Sequence, residues 1–354
     1  MSIVRTTMFK LIICASAAVV FAAADAQQSV DPQLQALFSQ VGLTSQQQSD
    51  LVAGRAVAKV LSWGESSEIY VFGAVHIVGA PDVYLKSARD VSRLAGKQGY
   101  LGIGELRSTP TIADLAGLTL DADDIKALKS CREGDCDVQL PSAAIQAFRD
   151  AVNWSQPDVA AQVNGLARSR IVDLVAAYKR GGNDALGVYR DKEHPSRVAE
   201  QFEKMVNRSA SLPRLLPELR QYLLEYPAAD LPGADSFFYW EKVDFGMKPT
   251  IRINHGVIYQ GDRRGVSAVA IKQLYANHYF HTALDVSVCF TDGTRTDLPS
   301  FYLLTFKGSE QDGLTGFKGS MVRKIVVDKT RSALEKALAS IKDVVEQASK
   351  TPRD

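Results

Sequence analysis

Hydrophobic and polar positions alternate in two separate parts of the chain, and the alternation predicts β-strands in both. A strand turns successive side chains to opposite faces, so a period of two marks a strand with one buried face. The predicted strands after residue 250 follow one another through short turns, which is typical of an antiparallel meander. The predicted strands span residues 57–63, 68–78, 100–106, 250–260, 266–280, 281–290 and 301–306.

Hydrophobic positions recur at helical spacing between these two groups of strands, over residues 111–230, and again near the C-terminal end. The C-terminal stripe repeats every three or four residues and predicts one long helix ending near residue 348. Its members are Leu334, Leu338, Ile341 and Val345. Strands, a helical block, a meander and a terminal helix together predict a single α+β domain over residues 56–350.

This order of elements resembles the helix-grip fold of the START and polyketide-cyclase-like superfamily. The resemblance covers residues 56–107 and 236–348 and rests on element order, because that superfamily has no diagnostic motif. It implies an antiparallel sheet curled around a long C-terminal helix, with a tunnel for an apolar ligand between them. The helical block 111–230 is then an insertion. We expect one face of the third meander strand to look towards the C-terminal helix, namely Leu284, Val286, Val288 and Phe290.

The first 26 residues predict export. Arg5 and Lys10 precede an apolar run, and Ala24 and Ala26 supply small residues at the positions a signal peptidase requires. The run is shorter than the roughly 20 residues of a membrane span. We therefore expect a cleaved protein that is not integral to a membrane, periplasmic in a Gram-negative host and otherwise secreted. The Gln- and Ser-rich residues 27–50 are predicted as a loose lead-in with one short helix, and the flexible lead-in as a whole spans residues 27–55.

The net charge and the cysteines limit which partners and which cellular compartment the protein can have. The chain has 41 Lys and Arg against 40 Asp and Glu, and loss of residues 1–26 leaves 39 of each. Such a balance argues against a nucleic-acid partner, which selects for a basic surface. Cys131 and Cys136 flank a short polar loop and are predicted to form a disulfide in an oxidising compartment, with a redox-active dithiol as the alternative. Cys289 is predicted to be a passive strand residue.

Histidines supply the main candidates for a binding site. His255 shares the apolar face of strand 250–260 with Tyr259, where it is either a hydrogen-bonded core residue or the polar anchor of an apolar pocket. His278 and His281 are three residues apart and would point to opposite faces of a strand. A zinc site formed by these two with His255 is the alternative. We predict no metal and no cofactor.

Glu105 is a further candidate, because it lies among glycines on a short predicted strand and a buried carboxylate needs a partner. Arg252, Lys272 or Arg107 could be that partner. The predicted ligand-binding residues are His255, Glu105, Arg252, Tyr259, Lys272 and His278.

Three hypotheses of function follow from these observations. The first is an envelope protein that binds an apolar small molecule or lipid between the sheet and the C-terminal helix. The second is a cyclase- or hydrolase-like enzyme on the same scaffold that uses His255 with Glu105. The third is a structural or interaction protein without a ligand. The sequence contains none of the usual nucleophile-elbow, phosphate-loop or zinc-protease motifs.

The first testable prediction concerns processing. We expect cleavage after Ala26, so N-terminal sequencing of the exported protein should begin at Gln27 or its cyclised form. An exported fraction that retains Met1 would contradict the prediction.

Overall fold

The computed structural model describes residues 30–208, 215–261, 265–293 and 298–350. The predicted signal peptide and its cleavage site lie outside the described residues. The strands are β1 (Val57–Leu61), β2 (Glu68–Val78), β3 (Tyr100–Leu106), β4 (Val188–Tyr189), β5 (Ser196–Arg197), β6 (Ala234–Val243), β7 (Thr250–Gln260), β8 (Val266–Ala276), β9 (Phe280–Thr291) and β10 (Ser300–Gln311). The helices are α1 (Pro32–Gln40), α2 (Ser45–Val52), α3 (Pro81–Arg89), α4 (Ala122–Ser130), α5 (Ser142–Ala151), α6 (Val159–Gly181), α7 (Val198–Arg208), α8 (Pro217–Glu225) and α9 (Gly316–Lys350).

The segment predicted as a flexible lead-in instead forms α1 and α2. Asp31 caps the first helix, and Thr44 forms a capping box with Gln47 at the start of the second. Leu34 and Leu51 are buried in the core. The glutamines therefore belong to the solvent side of two short amphipathic helices, and the apolar positions between them anchor these helices to the domain.

Eight strands form one sheet in the order β1-β2-β10-β9-β8-β7-β6-β3. All neighbouring pairs are antiparallel. The early strands occupy both edges of the meander, since β2 pairs with β10 and β3 pairs with β6. The chain thus folds as predicted into a mixed α+β structure with a large antiparallel sheet and a long C-terminal helix.

Both faces of the sheet are covered by helices. On one side, which we call the block face, side chains of β2 and β7–β10 pack with α1, α2, α7 and α8, and those of β6 and β7 pack with α6. On the other side, which we call the α9 face, side chains of β2, β6 and β10 pack with α3 and α9. The sheet is therefore the middle of three layers.

The expected orientation of β9 is wrong. Its apolar residues lie on the block face with α1, α2, α7 and α8, whereas Leu334 and Leu338 of α9 lie on the opposite face with Val71 and Val75 of β2. The β9 residues concerned are Leu284, Val286, Val288 and Phe290. Alternation along β9 assigns these residues to one face, but it carries no information on which helix covers that face.

The long helix α9 lies over the β1–β2 edge of the sheet, and Gly73 of β2 allows the close approach. A Cβ atom at Gly73 would lie 2.7 Å from Leu338 Cδ1 and 2.8 Å from Leu334 Cδ2. Towards the C-terminal end, Lys342 Nζ donates to the His76 carbonyl at 3.0 Å. The Glu346 carboxylate accepts from the Val78 amide at 3.0 Å, so this end of the helix is fixed by hydrogen bonds to the β2 backbone.

The predicted disulfide is present. Cys131 and Cys136 are bonded, both are buried, and they belong to a small core formed by α4, α5 and α6. Cys289 is free and buried in β9, and burial raises the pKa of its thiol to about 12, as expected of a passive strand residue. Among the helices of the described residues, none has both the length and the apolar character to cross a membrane.

Docking of α9 onto β2 generates the second prediction. Gly73→Ala places a methyl group inside the contact distance of Leu334 and Leu338, and overpacking of this kind costs about 1–3 kcal/mol of unfolding free energy. Gly165→Ala in α6 is the matched control, because nothing lies within 4 Å of its added Cβ. The control should be neutral or stabilising by up to about 1 kcal/mol. Urea denaturation measures both, and equal midpoints for the two variants would contradict this packing.

Candidate functional site

The predicted site residues fall into separate places. Glu105 is half-exposed, and both its carboxylate oxygens accept from Arg89 of α3, at 2.7 and 3.0 Å. The expected partnership with Arg252, Lys272 or Arg107 is therefore wrong. The actual partner, Arg89, comes from a helix that packs beside β3. The local sequence around Glu105 does not predict this contact between elements.

His278 lies in the turn between β8 and β9 and is bound to the helical block. Its Nε2 lies 2.9 Å from Asp124 Oδ1, and Asn277 Nδ2 donates to the other oxygen of the same carboxylate at 3.0 Å. All three side chains are buried. This arrangement ties α4 to the sheet, while His281 is 3.1 Å from Asp312, so the histidines considered for a zinc site have different partners.

Two other predicted residues, His255 and Lys272, are brought together on the block face by Tyr178 of α6. His255 Nδ1 lies 3.1 Å from the Tyr178 hydroxyl, and Lys272 Nζ lies 3.2 Å from the same oxygen. Lys272 also donates to Asn183 Oδ1, and His255 Nε2 lies 2.7 Å from Ser236 Oγ. We call Ser236, His255, Tyr178, Lys272 and Asn183 the polar chain.

Aromatic rings enclose the interior of the polar chain. The Phe238 ring stacks on His255 with centroids 4.6 Å apart, and Lys272 Nζ lies 4.0 Å from the centre of the Phe202 ring. His255 and Lys272 are both 0% exposed. Burial, with the nearby positive charge of Lys272, lowers the pKa of His255 to about 3. Burial also lowers the pKa of Lys272 well below its usual value.

Lys272 has no ion-pair partner among the residues that the structure describes, and its contacts are a hydroxyl, an amide oxygen and two aromatic rings. Sequence reasoning identified both Lys272 and His255 but missed Ser236, Asn183 and the polar role of Tyr178. Local sequence could not reveal these contacts, because they depend on the packing of α6, which comes from a distant part of the chain. Tyr259 is buried on the same face, nearer to α1 and α8.

Arg252 belongs to a second group of polar residues on the α9 face, which we call the amide–carboxylate cluster. Arg252 Nη1 lies 3.2 Å from Glu241 Oε1, and its Nε donates to Gln273 Oε1 at 3.2 Å. Asn254 Nδ2 donates to the same Glu241 oxygen at 3.2 Å. Burial alone would lower the pKa of Arg252, but the carboxylates of Glu241 and Asp285 raise it, so the guanidinium stays charged.

Asn254 leaves one acceptor of this cluster unused. The residue is 0% exposed, and its Oδ1 has no hydrogen-bond partner among the described residues. The orientation of the amide follows from Glu241, because the reversed amide would set two oxygens against each other. A buried acceptor without a donor costs about 1–3 kcal/mol of folding free energy.

Comparisons with known proteins add little. No family model matches the chain, and no curated protein matches it. A solved structure of norcoclaurine synthase from Thalictrum flavum, in complex with dopamine and hydroxybenzaldehyde, covers 44% of this chain and 82% of its own, with 11% identity and a TM-score of 0.21. This is a weak resemblance to a helix-grip protein at the level of the fold, and no functional argument rests on it.

The third prediction uses the burial of Lys272. Because its folded pKa is below its unfolded pKa, the unfolded chain binds more protons between those two values, and folding stability rises with pH up to about 10.5. Relative to Lys272→Met, the wild type should gain unfolding free energy over that window, at most about 1.4 kcal/mol per pH unit. The lost bonds to Tyr178 and Asn183 shift the comparison by a nearly constant amount.

Urea denaturation at a series of pH values from 7 to 9.5 measures this gain, with the exposed Lys129→Met as the matched control. The control curve should run parallel to the wild type. If the Lys272→Met curve is also parallel, Lys272 titrates as an ordinary lysine and is not buried as described.

Proposed function

We propose that this protein binds an apolar small molecule or lipid on the α9 face of the sheet, and that the ligand donates one hydrogen bond to Asn254 Oδ1. The observation that carries the proposal is this buried, unpaired acceptor within a cluster whose other groups are bonded. We also propose that the sheet curls around α9, as the resemblance to helix-grip proteins implies.

The surroundings of the amide–carboxylate cluster favour an apolar ligand. Ile103 faces Glu241 across the β3–β6 pair, and Ile271 lies two residues before Gln273 on β8. Ile103 and Ile271 are only partly buried. Half-covered aliphatic side chains beside a buried polar group are typical of sites that fix one polar atom and cover the rest of a ligand with apolar contacts.

The ion pair between Arg252 and Glu241 determines which kind of ligand group can bond to Asn254 Oδ1. The two side chains form an ion pair with each other, so neither charge needs a ligand group to balance it. The free position is an acceptor, which selects an N–H or O–H group of the ligand and disfavours a second acceptor there. An apolar molecule with an alcohol, phenol or amine group meets this requirement.

The enzyme hypothesis with His255 and Glu105 acting together is not supported by their positions, since Glu105 bonds to Arg89 and His255 bonds to Tyr178 and Ser236. Export remains a proposal as well. It is supported by the disulfide, which persists most readily in an oxidising compartment.

The fourth prediction tests the binding site with N-phenyl-1-naphthylamine, an apolar probe with one N–H donor whose fluorescence rises on burial. The wild type should bind it saturably at one site. Asn254→Leu removes the acceptor while Glu241 keeps Arg252, and the affinity should fall about tenfold, the equivalent of one hydrogen bond.

Tyr259→Phe is the matched control because Tyr259 lies on the block face. Affinity lost in Tyr259→Phe and kept in Asn254→Leu would place the ligand on the block face and refute the proposal. The absence of any saturable binding by the wild type would instead favour a structural or interaction protein.

A further inference from the structure

The first turns of α9 carry apolar side chains on their solvent side. Met321, Val322 and Ile325 are exposed, whereas Leu334 and Leu338 of the same helix are buried against β2. Met321 and Ile325 are four residues apart, so they share one face of the helix. The beginning of α9 therefore presents to solvent the kind of side chain that its later turns bury.

The loop between β6 and β7 extends this apolar surface. A Cβ atom at Gly246 would lie 3.4 Å from Lys329 Nζ, and Lys329 is one turn beyond Ile325 on the same helix face, so the loop lies beside α9. The next residue of the loop, Met247, is exposed as well. Met247 and the three apolar residues of α9 are between 40% and 63% exposed. Neighbouring exposed apolar side chains, unlike single ones, are typical of an interaction surface.

Basic side chains surround these apolar residues. Together with the three exposed lysines, Lys248, Lys324 and Lys329, the four apolar residues form what we call the lysine–apolar patch. None of the three lysines forms an ion pair with a described residue.

The charge of this surface is positive. Arg323 of α9 adds a fourth basic group, and it donates to the backbone carbonyls of Ser66 and Glu68 rather than to a carboxylate. The exposed acidic residues of the same two segments are Asp244 and Asp328, which leaves an excess of two positive charges over the four basic and two acidic groups. The local charge thus differs from the balanced charge of the whole chain.

This combination of side chains fits the surface of an anionic lipid bilayer. Apolar side chains can enter the boundary between headgroups and acyl chains, while neighbouring lysines keep their ammonium groups at the level of the phosphates. Protein interfaces have another composition, because they are enriched in aromatic residues and depleted of lysine. Three lysines beside four apolar side chains without an aromatic ring favour lipid over a protein partner.

We propose that the lysine–apolar patch attaches this protein peripherally to an anionic phospholipid surface. The three lysines bind lipid phosphates, and Met321, Ile325 and Met247 insert beside the headgroups. The attachment is reversible, because only a few side chains leave water. It does not depend on the ligand site at Asn254, so either proposal can fail without the other.

Flotation of the exported protein with lipid vesicles tests the proposal. The protein should bind vesicles made of equal parts of phosphatidylcholine and phosphatidylglycerol. Binding to phosphatidylcholine alone should be more than about tenfold weaker, because each basic residue near an anionic surface strengthens binding about fivefold. A higher salt concentration should release the protein from the anionic vesicles, since ions screen this attraction.

Matched variants separate the apolar contribution from the charged one. Ile325→Ser should lower the partition coefficient about tenfold, because one aliphatic side chain no longer leaves water. Lys329→Gln should lower it about fivefold. Val344→Ser is the matched control, because Val344 is also exposed on α9 but lies outside the patch. All three side chains are exposed, so the variants should keep the Tm of the wild type.

Two results would overturn the proposal. One is a wild type that does not float with the anionic vesicles, and the other is equal affinity of the wild type and Ile325→Ser for them. Analytical ultracentrifugation shows what replaces it, since a dimer that Ile325→Ser dissociates, without vesicle binding, would assign the patch to a second copy of the chain.

Discussion

Burial of the sheet on both faces is the constraint on which the other features depend. A two-layer protein leaves one sheet face to water, where polar side chains need no partner. Here α9 and α3 cover one face, and α1, α2 and the helical block cover the other, so a polar residue of the central strands that finds no partner in the interior lowers the stability of the fold. β7 shows the consequence within two neighbouring residues, since His255 bonds to α6 on one side and Asn254 bonds to Glu241 on the other.

The two polar groups meet this requirement in different ways. The amide–carboxylate cluster balances charge locally, because Arg252 and Glu241 are adjacent and Gln273 accepts from the Nε donor of the guanidinium. The polar chain has no such pair. Burial lowers the pKa of Lys272, which favours the uncharged amine, and the amine lies against the Phe202 ring.

Much of the architecture follows from local patterning. Alternation predicts β2 and β7 at their observed bounds, helical periodicity predicts the helices of residues 111–230 and α9, and the short polar loop predicts the disulfide. The same patterning could not say which layer each face meets. Both faces of β9 are largely buried, so its period of two fixes the grouping of Leu284 with Val286 and leaves their covering helix undetermined.

The candidate site was accessible to sequence reasoning only in part. His255 and Lys272 stand out because a basic residue in an apolar strand is unusual, but their link, Tyr178, is contributed by a helix 77 residues earlier in the chain than His255. The expected partners of Glu105, namely Arg252, Lys272 or Arg107, are wrong for the same reason, since Arg89 reaches it through the packing of α3. The partners of His255 and Glu105 are determined by how the helices pack on the sheet, and residue spacing alone does not encode that packing.

The most direct test of the account is the environment of the His255 ring in solution. Long-range proton–nitrogen NMR spectra with nuclear Overhauser contacts report both its protonation and its neighbours. We expect a neutral imidazole at pH 6, because the His255 pKa lies near 3, with contacts to the Tyr178 and Phe238 rings. A protonated ring at pH 6, or contacts from His255 to Leu334 and Leu338 of α9, would contradict it.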